Sequence, residues 1–313
     1  MTMTVPSISI IIPTYNGRHL LDRTLAHNLQ VLASPTIEWI VSDDGSDDKT
    51  AEWLAEHFPS VKVVTSPQNR GFSVTAHRGA LAATSEILFF LNNDMKISDL
   101  DLSRLVDELA CPDIFAIVPT IIRPSKDNAF ESITWGYFKG GWLTPESYPP
   151  ESVDITQARP VLWACGGAMA VRRDRYFTLG GFDPLFSPFY FEDLDLSYRA
   201  WQRGWASWYM PLGTILHDHQ ATIGRLFSSA HVAKIHRRNH YLFMWRNLTS
   251  PRLLVSHFAT IALKILTLQR ADIGAIFSAL RYIGIVIMYR WDRPPSRLSD
   301  LAILEASRTG RIF

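Results

Sequence analysis

The chain is predicted to be an α/β protein, with a mostly parallel, Rossmann-like sheet flanked by helices and a helical C-terminal extension. Three observations lead there. Short β-branched apolar runs alternate with segments of helical periodicity over the first hundred residues. The apolar runs end in polar, carboxylate-rich loops. Beyond residue 224 the composition changes to basic and apolar. Strands alternating with helices at this spacing make βαβ units and a parallel sheet.

"SISIIIP" from Ser7 is a short apolar run closed by proline, which suits a buried parallel strand. The next segment places Leu20, Leu21, Leu25, Leu29 and Leu32 at roughly helical spacing. "IEWIVSDDGS" is a second strand running into acids and a glycine turn. "SDDKTAEWLAEHF" opens with N-cap residues and continues as a helix. "VKVVTS", "GFSVTAHRGALAAT" and "EILFFLNND" read as strand, helix and strand. From about Pro119 to Pro160 the pattern loosens, and an irregular excursion over the sheet is expected. "VLWACGGAMAVRRDRYFTLGGF" then resumes as strand, turn, strand and short helix.

The 313 residues carry 31 basic and 30 acidic side chains, so the total makes no case for a nucleic-acid partner. The distribution is uneven. Residues 1–224 hold 17 Lys/Arg against 26 Asp/Glu, and residues 225–313 hold 14 against 4. The expected domains are therefore 1–224, with halves at about 1–118 and 119–224, and an extension at 225–313. The extension contains two apolar helical segments in which His257, Thr260, Lys264 and Thr267 form a polar stripe. Charges near mid-segment make a spanning helix costly. Amphipathic helices lying in a membrane interface, Lys and Arg on the polar side, fit better; a helical pair packed on the body or on another subunit is the other reading. Cys111 and Cys165 show no metal-ligand spacing, which suits a reducing, cytoplasmic compartment, and no signal peptide is read at the N-terminus.

In an open parallel sheet, ligands bind beyond the carboxyl ends of the strands. After the first strand come Pro13, Thr14, Tyr15 and Asn16. After the second come Asp43, Asp44, Gly45 and Ser46, and after the fourth Asn92, Asn93 and Asp94. Each loop alone passes as a turn or cap. Together they point to one shared ligand. Glu192, Asp193 and Asp195 crowd the start of a later helix, where acids also complement the helix dipole. Asp195 and Arg199 are spaced i, i+4, which predicts a structural ion pair.

"IIPTYNG", "VSDDGSDDKT", "NRGFSVTAHRGALAAT", "FLNNDM", "GGAMAVRRDRYFTLGGFD" and "FEDLDLSYR" resemble, in order, the motifs of family 2 glycosyltransferases. These are inverting, nucleotide-sugar-dependent enzymes of GT-A fold, and the resemblance runs from about Ser7 to about Gly224. It implies that Pro13, Thr14, Tyr15 and Asn16 hold the nucleoside. Asp44 would accept the imide N–H of a uracil or thymine ring, since a carboxylate can only accept. Arg70, Gly71, Asn92 and Asn93 would lie near the nucleotide; for Gly71 and Gly79 close packing is the other reading. Asn92 departs from the family's Asp-x-Asp pattern, leaving Asp94 as that motif's metal-binding carboxylate. His217 is the expected second ligand, with His219 in reserve, and the cation is Mn²⁺ or Mg²⁺, an imidazole leaning towards Mn²⁺.

Asp193 matches the family's catalytic base, and Glu192 would position an acceptor hydroxyl. Gly166 and Gly167 would let backbone approach the donor sugar. Trp163 would line the acceptor side, or serve as a core tryptophan. The order of motifs is similar to bacterial rhamnosyltransferases of surface-glycan assembly. Hence the expected reaction moves a sugar, rhamnose first, from a UDP- or dTDP-donor to a glycan or lipid-linked acceptor. It would take place at the cytoplasmic face of the plasma membrane, with peripheral contact through the C-terminal helices; a homo-oligomer is left open. A catalytically impaired nucleotide-binding scaffold of the same fold is the alternative that Asn92 encourages. A nucleotidyltransferase would need a Gly-rich phosphate loop with a lysine after the first strand, and "PTYNGRHLL" lacks it.

Overall fold

A computed structural model describes residues 7–124, 128–147, 153–218 and 227–312. Its first half is built as the alternation predicts. β1 (Ile8–Thr14), β2 (Ile37–Asp43), β3 (Lys62–Thr65) and β4 (Ile87–Leu91) are joined through α1 (Arg18–Val31), α2 (Thr50–His57) and α3 (Phe72–Ala82). They pair in parallel in the order β3-β2-β1-β4. Every residue of β1 and β4 is buried, because helices cover both faces of a parallel sheet. Gly79 of α3 is a packing residue, since a Cβ there would lie 2.4 Å from Ile11 Cγ2.

The purely parallel character stops at β4. β11 (Ala168–Arg172) runs antiparallel to β4 on one side and to β6 (Ile114–Arg123) on the other. β12 (Ala206–His217) is parallel to β6 and antiparallel to both β5 (Met95–Leu100) and β10 (Arg159–Val161). A short β7 (Ala129–Phe130) pairs with β6, and α4 (Leu102–Leu109) and α5 (Arg173–Thr178) complete this half. The result is one ten-stranded mixed sheet with its parallel part at the β3 end.

The irregular excursion expected over 119–160 is ordered where it is described. β6 continues to Arg123, and β8 (Thr134–Lys139) and β9 (Trp142–Ser147) form a hairpin. The partners that order it lie a hundred residues downstream, beyond the reach of local periodicity. His240 Nε2 is 2.6 Å from the Leu143 carbonyl oxygen, and Thr260 donates to the Gly140 carbonyl at 3.0 Å.

Those partners belong to the extension, which comprises α7 (Ser229–Asn247), α8 (Pro251–Leu266), α9 (Arg270–Leu280), α10 (Ile283–Asp292) and α11 (Asp300–Thr309). It is no loose appendage. One apolar cluster joins Tyr241, Phe243 and Ile303 of the extension to Leu143, Leu162, Tyr198 and Trp201 of the preceding body. Asp300 fastens the end of the chain by accepting Tyr198 Oη and the Thr249 and Ser250 N–H groups.

α8 reverses the orientation expected for an interfacial helix. His257, Thr260 and Lys264 of its polar stripe face the protein, while Thr267 is exposed. His257 is fully buried, donating from Nδ1 to the Gly141 carbonyl at 2.8 Å and accepting from Trp245 Nε1 at 3.1 Å. The opposite face presents Val255, Phe258, Leu263, Ile265 and Leu266 to solvent, and Phe277, Ile285, Met288 and Trp291 extend that surface on α9 and α10. Among the described residues no single helix is long and apolar enough to cross a membrane; α9 and α10 pass by length and composition only as a pair bent by 60°.

α6 (Glu192–Gln202) lies between sheet and extension. The predicted Asp195–Arg199 pair is present at 2.7 Å and buried, and Arg246 and Asn247 of α7 join it at 3.3 and 2.8 Å. Removing one member of a buried ionic cluster leaves uncompensated charge and costs about 3–5 kcal/mol. Asp195→Ala is expected to lower the unfolding free energy by about that amount, read by urea denaturation. A loss under about 1 kcal/mol would contradict the anchoring role.

Candidate active site

The loops that follow β1, β2 and β4 open onto one cleft of 340 Å³, together with the start of α6 and the end of β12. β1 lies between β2 and β4, so this is the crevice at the point where strand order reverses. Pro13, Thr14, Tyr15, Asp44 and Gly71 line one end. Asn92, Asn93, Asp94, Gly166, Gly167, Glu192, Asp193 and His217 line the rest. Most of the residues that the sequence assigns to base, metal and nucleotide roles thus share one cavity; Asn16 and Arg70 do not line it.

The two adjacent acids after β2 divide their work. Asp43 turns inward and accepts the Ser46 hydroxyl and, at 3.3 Å, the Ser46 N–H, closing the turn. Asp44 faces the cleft. Its Oδ2 accepts the N–H groups of Arg70 and Gly71 at 2.9 and 2.8 Å, while Oδ1 lies 3.5 Å from the Arg78 guanidinium. Arg70 therefore contributes backbone; its side chain is outside the cleft wall. Gly71 has φ +87°, and a Cβ would lie 2.7 Å from the Pro188 carbonyl oxygen, so the position requires glycine.

Asn16 is also outside the wall. It bridges the first two loops, accepting the Asp47 N–H at Oδ1 and donating its own N–H to Ser46 Oγ, both at 2.8 Å. Asn93 ties the third loop to the first by donating to Thr14 Oγ1 at 2.8 Å. Trp163 does not line the cleft; it packs against the apolar cluster shared with the extension, as the alternative core reading expects. His219 lies outside the described residues.

At the far end, antiparallel pairing sets His217 opposite Met95 and so brings its ring beside Asp94. Nε2 is 3.5 Å from Asp94 Oδ1, and Nδ1 is 2.7 Å from Glu131 Oε2. Burial alone would lower the imidazole pKa, but the two carboxylates outweigh it and raise it to about 9. Sequence reasoning missed Glu131, because it sits in the stretch read as irregular and carries no motif.

This donor set fits a hard divalent cation. One carboxylate and one imidazole converge, and the far ring nitrogen is oriented by a carboxylate, a common outer partner of metal-bound histidine. Among the described residues no group of three His, Cys, Asp or Glu is placed to hold an ion alone. Among the described residues no Lys or Arg lines the cleft, whereas Asp44, Asp94, Glu192 and Asp193 do. A diphosphate entering this acidic cavity would be favoured by a cation beside Asp94 and His217.

Glu192 and Asp193 open α6, and their environments differ. Asp193 Oδ1 accepts the Leu194 N–H at 2.8 Å, and Oδ2 accepts the Gly166 N–H at 3.1 Å. Gly166 leaves room for this approach, since a Cβ there would sit 3.2 Å from Asp193 Cβ. Glu192 is buried, and its Oε2 has no hydrogen-bond partner among the described residues. Burial raises the pKa of both acids. The nearby Asp193 charge raises Glu192 further, while backbone N–H groups oppose the rise at Asp193. The proton of the pair accordingly resides on Glu192, leaving Asp193 as carboxylate.

The residues before them are strained. Tyr190 and Phe191 both have positive φ, 70° and 78°, which costs on the order of 1–3 kcal/mol each for bulky side chains. Asn239 of α7 holds them by donating to the carbonyls of Phe186, Phe189 and Tyr190 at 2.7, 3.0 and 3.0 Å. This clamp has no signal in the sequence.

An acidic sheet-edge cleft in which Asp94 and His217 share the wall with the Glu192–Asp193 couple, on a sheet of this topology, fits a nucleotide-sugar-dependent glycosyltransferase of GT-A fold. Residues 9–178 match glycosyl transferase family 2, and the chain belongs to that family. It is 26% identical over 271 residues to the N-acetylglucosaminyl-diphospho-decaprenol L-rhamnosyltransferase of Mycobacterium tuberculosis (strain ATCC 25618 / H37Rv), covering 78% of this chain and 85% of that protein. Its fold is similar to a mannosyltransferase from Pyrobaculum calidifontis in complex with GDP-Man and Mn²⁺ (TM-score 0.56, 19% identity, 98% of this chain and 87% of that one). It is also similar to GalNAc-T7 with UDP, GalNAc and Mn²⁺ (TM-score 0.59, 19% identity, 78% and 48%).

Two outcomes are expected. Asp193→Asn removes the proton acceptor and keeps one of the two N–H contacts through its remaining carbonyl oxygen, so transfer falls by about 10²–10⁴-fold with nucleotide affinity unchanged. Parallel loss of both, measured by turnover and calorimetry, would contradict the assignment. Glu192 has a raised pKa when folded, so as pH rises above 4.5 the unfolded chain releases this proton first and stability declines. Glu192→Gln has no such titration and should gain on wild type between pH 5 and pH 8 in denaturant midpoint; a constant difference would show that Glu192 is not held protonated.

Proposed function

We propose that this chain catalyses an inverting glycosyl transfer, with dTDP-rhamnose as the first donor to test and a hydroxyl of a lipid-linked surface glycan as acceptor. The observation that carries the reading is the Glu192–Asp193 couple sharing a cleft with the Asp94–His217 pair. The mycobacterial relative, whose name specifies a rhamnosyl donor group and a diphospho-decaprenol acceptor, supports the choice of sugar and of lipid.

In this reading the Asp193 carboxylate takes the proton of the acceptor hydroxyl as that oxygen bonds to the anomeric carbon. The bond from that carbon to the nucleoside diphosphate breaks on the opposite face, so configuration inverts. Neutral Glu192 donates a hydrogen bond that orients the acceptor oxygen. Thr14 and Tyr15 wall the base pocket, and Asp44 Oδ1 accepts an imide N–H there. Asp94 and His217 would hold Mn²⁺ or Mg²⁺, which supplies positive charge against the departing diphosphate.

The apolar surface of α8–α10 would lie against the cytoplasmic leaflet of the plasma membrane, its basic neighbours meeting anionic headgroups. Exposed residues test this without disturbing the core: Leu266 is 79% and Met288 66% exposed. The double change Leu266→Glu with Met288→Glu is expected to abolish co-sedimentation with anionic phospholipid vesicles. Unchanged sedimentation, or wild-type self-association that hides this face without lipid, would remove the membrane claim.

The reaction itself is tested with a panel of dTDP- and UDP-sugars and Mn²⁺. Transfer with dTDP-rhamnose and inverted product configuration by NMR is the expected result. Tight nucleotide binding without hydrolysis or transfer of any donor would favour the impaired scaffold.

A further inference from the structure

A second cavity, of 920 Å³, opens between α7, the β8–β9 hairpin and the α8–α9 turn. It meets the catalytic cleft at Tyr190 and Phe227, which line both. Its electrostatics are opposite to those of the cleft. Among the described residues the charged groups facing it are Arg237, Lys264 and Asp272; burial lowers the pKa of His236 and His240, which stay neutral. Asp272 Oδ1 lies 2.9 Å from Lys264 Nζ and 3.8 Å from Arg237 Nε, and also accepts Tyr241 Oη at 2.8 Å. One carboxylate thus holds two cations side by side and leaves an excess positive charge. The first turns of α7 form part of the wall, adding the positive end of a nineteen-residue helix. Just beyond Lys264 in the chain, Leu266 and Leu268 are 79% and 74% accessible, adding to the apolar residues exposed on α8.

We infer that this cavity receives the diphosphate of a polyprenyl-diphosphate-linked acceptor. The sugar passes Tyr190 towards Asp193, the phosphates sit against Arg237 and Lys264, and the chain leaves over Leu266 and Leu268. The inference rests on the lipid-linked acceptor reading and deepens it. It also gives the inward polar stripe of α8 a purpose: Lys264, 4.4 Å above the Trp142 ring, is turned into the cavity while the lipid side stays apolar.

The probe is farnesyl diphosphate, titrated into the full chain by calorimetry, with farnesol and inorganic pyrophosphate as separate arms. Farnesyl diphosphate is expected to bind more tightly than either part alone. Ala233→Trp, which fills the cavity from an exposed helical position, and Arg237→Ala, which removes a cation, should each weaken it by tenfold or more. UDP and dTDP affinity, read at the other cleft, reports that the variants are folded. Two results overturn the proposal: folded variants that bind farnesyl diphosphate as the wild type does, or pyrophosphate binding as tightly as farnesyl diphosphate, which would make the site one for a free anion. No turnover is measured, so failure here is distinct from failure of the transfer reading.

Discussion

The arrangement of the site depends on how a buried carboxylate, Asp195, is neutralised. It is fully inaccessible to water and lies two positions after the proposed base. Arg199 supplies one cation from the same helix, and Arg246 supplies another from α7. Arg246 in turn reaches Asp183 at 2.5 Å and stacks 3.8 Å from the Tyr289 ring of α10. A buried charge must be paired; Arg199 does this within α6, and Arg246 and Asn247 of the extension complete the contacts of the remaining oxygen. Asn239 adds a second tie, holding the strained Tyr190–Phe191 turn from which Glu192 and Asp193 project. The extension therefore serves two ends: it anchors the catalytic helix and presents an apolar outer surface.

The two cavities solve a shared problem differently. Among the described residues the donor cleft has four acidic side chains on its wall and no lysine or arginine, so neutralising a nucleoside diphosphate would fall to a cation beside Asp94 and His217. The second cavity carries its positive charge on Arg237 and Lys264. In the proposed reading, separate means of neutralisation would keep an acceptor diphosphate from competing for the metal, and would keep basic side chains away from Asp193, where they would lower its basicity.

The first half of the fold was legible because strands buried on both faces read as unbroken apolar runs, as in "SISIIIP" and "EILFFL". The cleft was legible because its residues come directly after those strands, where topology alone makes loops converge. Asp195–Arg199 was visible as a local i, i+4 spacing. What stayed hidden depends on contacts far apart in sequence. The β8–β9 hairpin is ordered by His240 and Thr260, Glu131 finds His217 across the sheet, and Asn239 reaches back fifty residues to its carbonyls. α8 misled for a related reason. Its stripe is polar, but periodicity does not say which face meets protein, and here the hydrogen bonds to Gly140 and Gly141, the latter buried, decide. Arg70 and Asn16 fell just outside the wall because a motif marks a loop without saying which of its atoms face inward.

The most direct measurement is a crystal structure with Mn²⁺ and a nucleoside diphosphate, with anomalous scattering locating the metal. The account expects one Mn²⁺ peak between Asp94 and His217, bridged to both phosphates, with the terminal phosphate turned towards Asp193. A metal bound elsewhere, or a diphosphate turned away from Asp193, would contradict it.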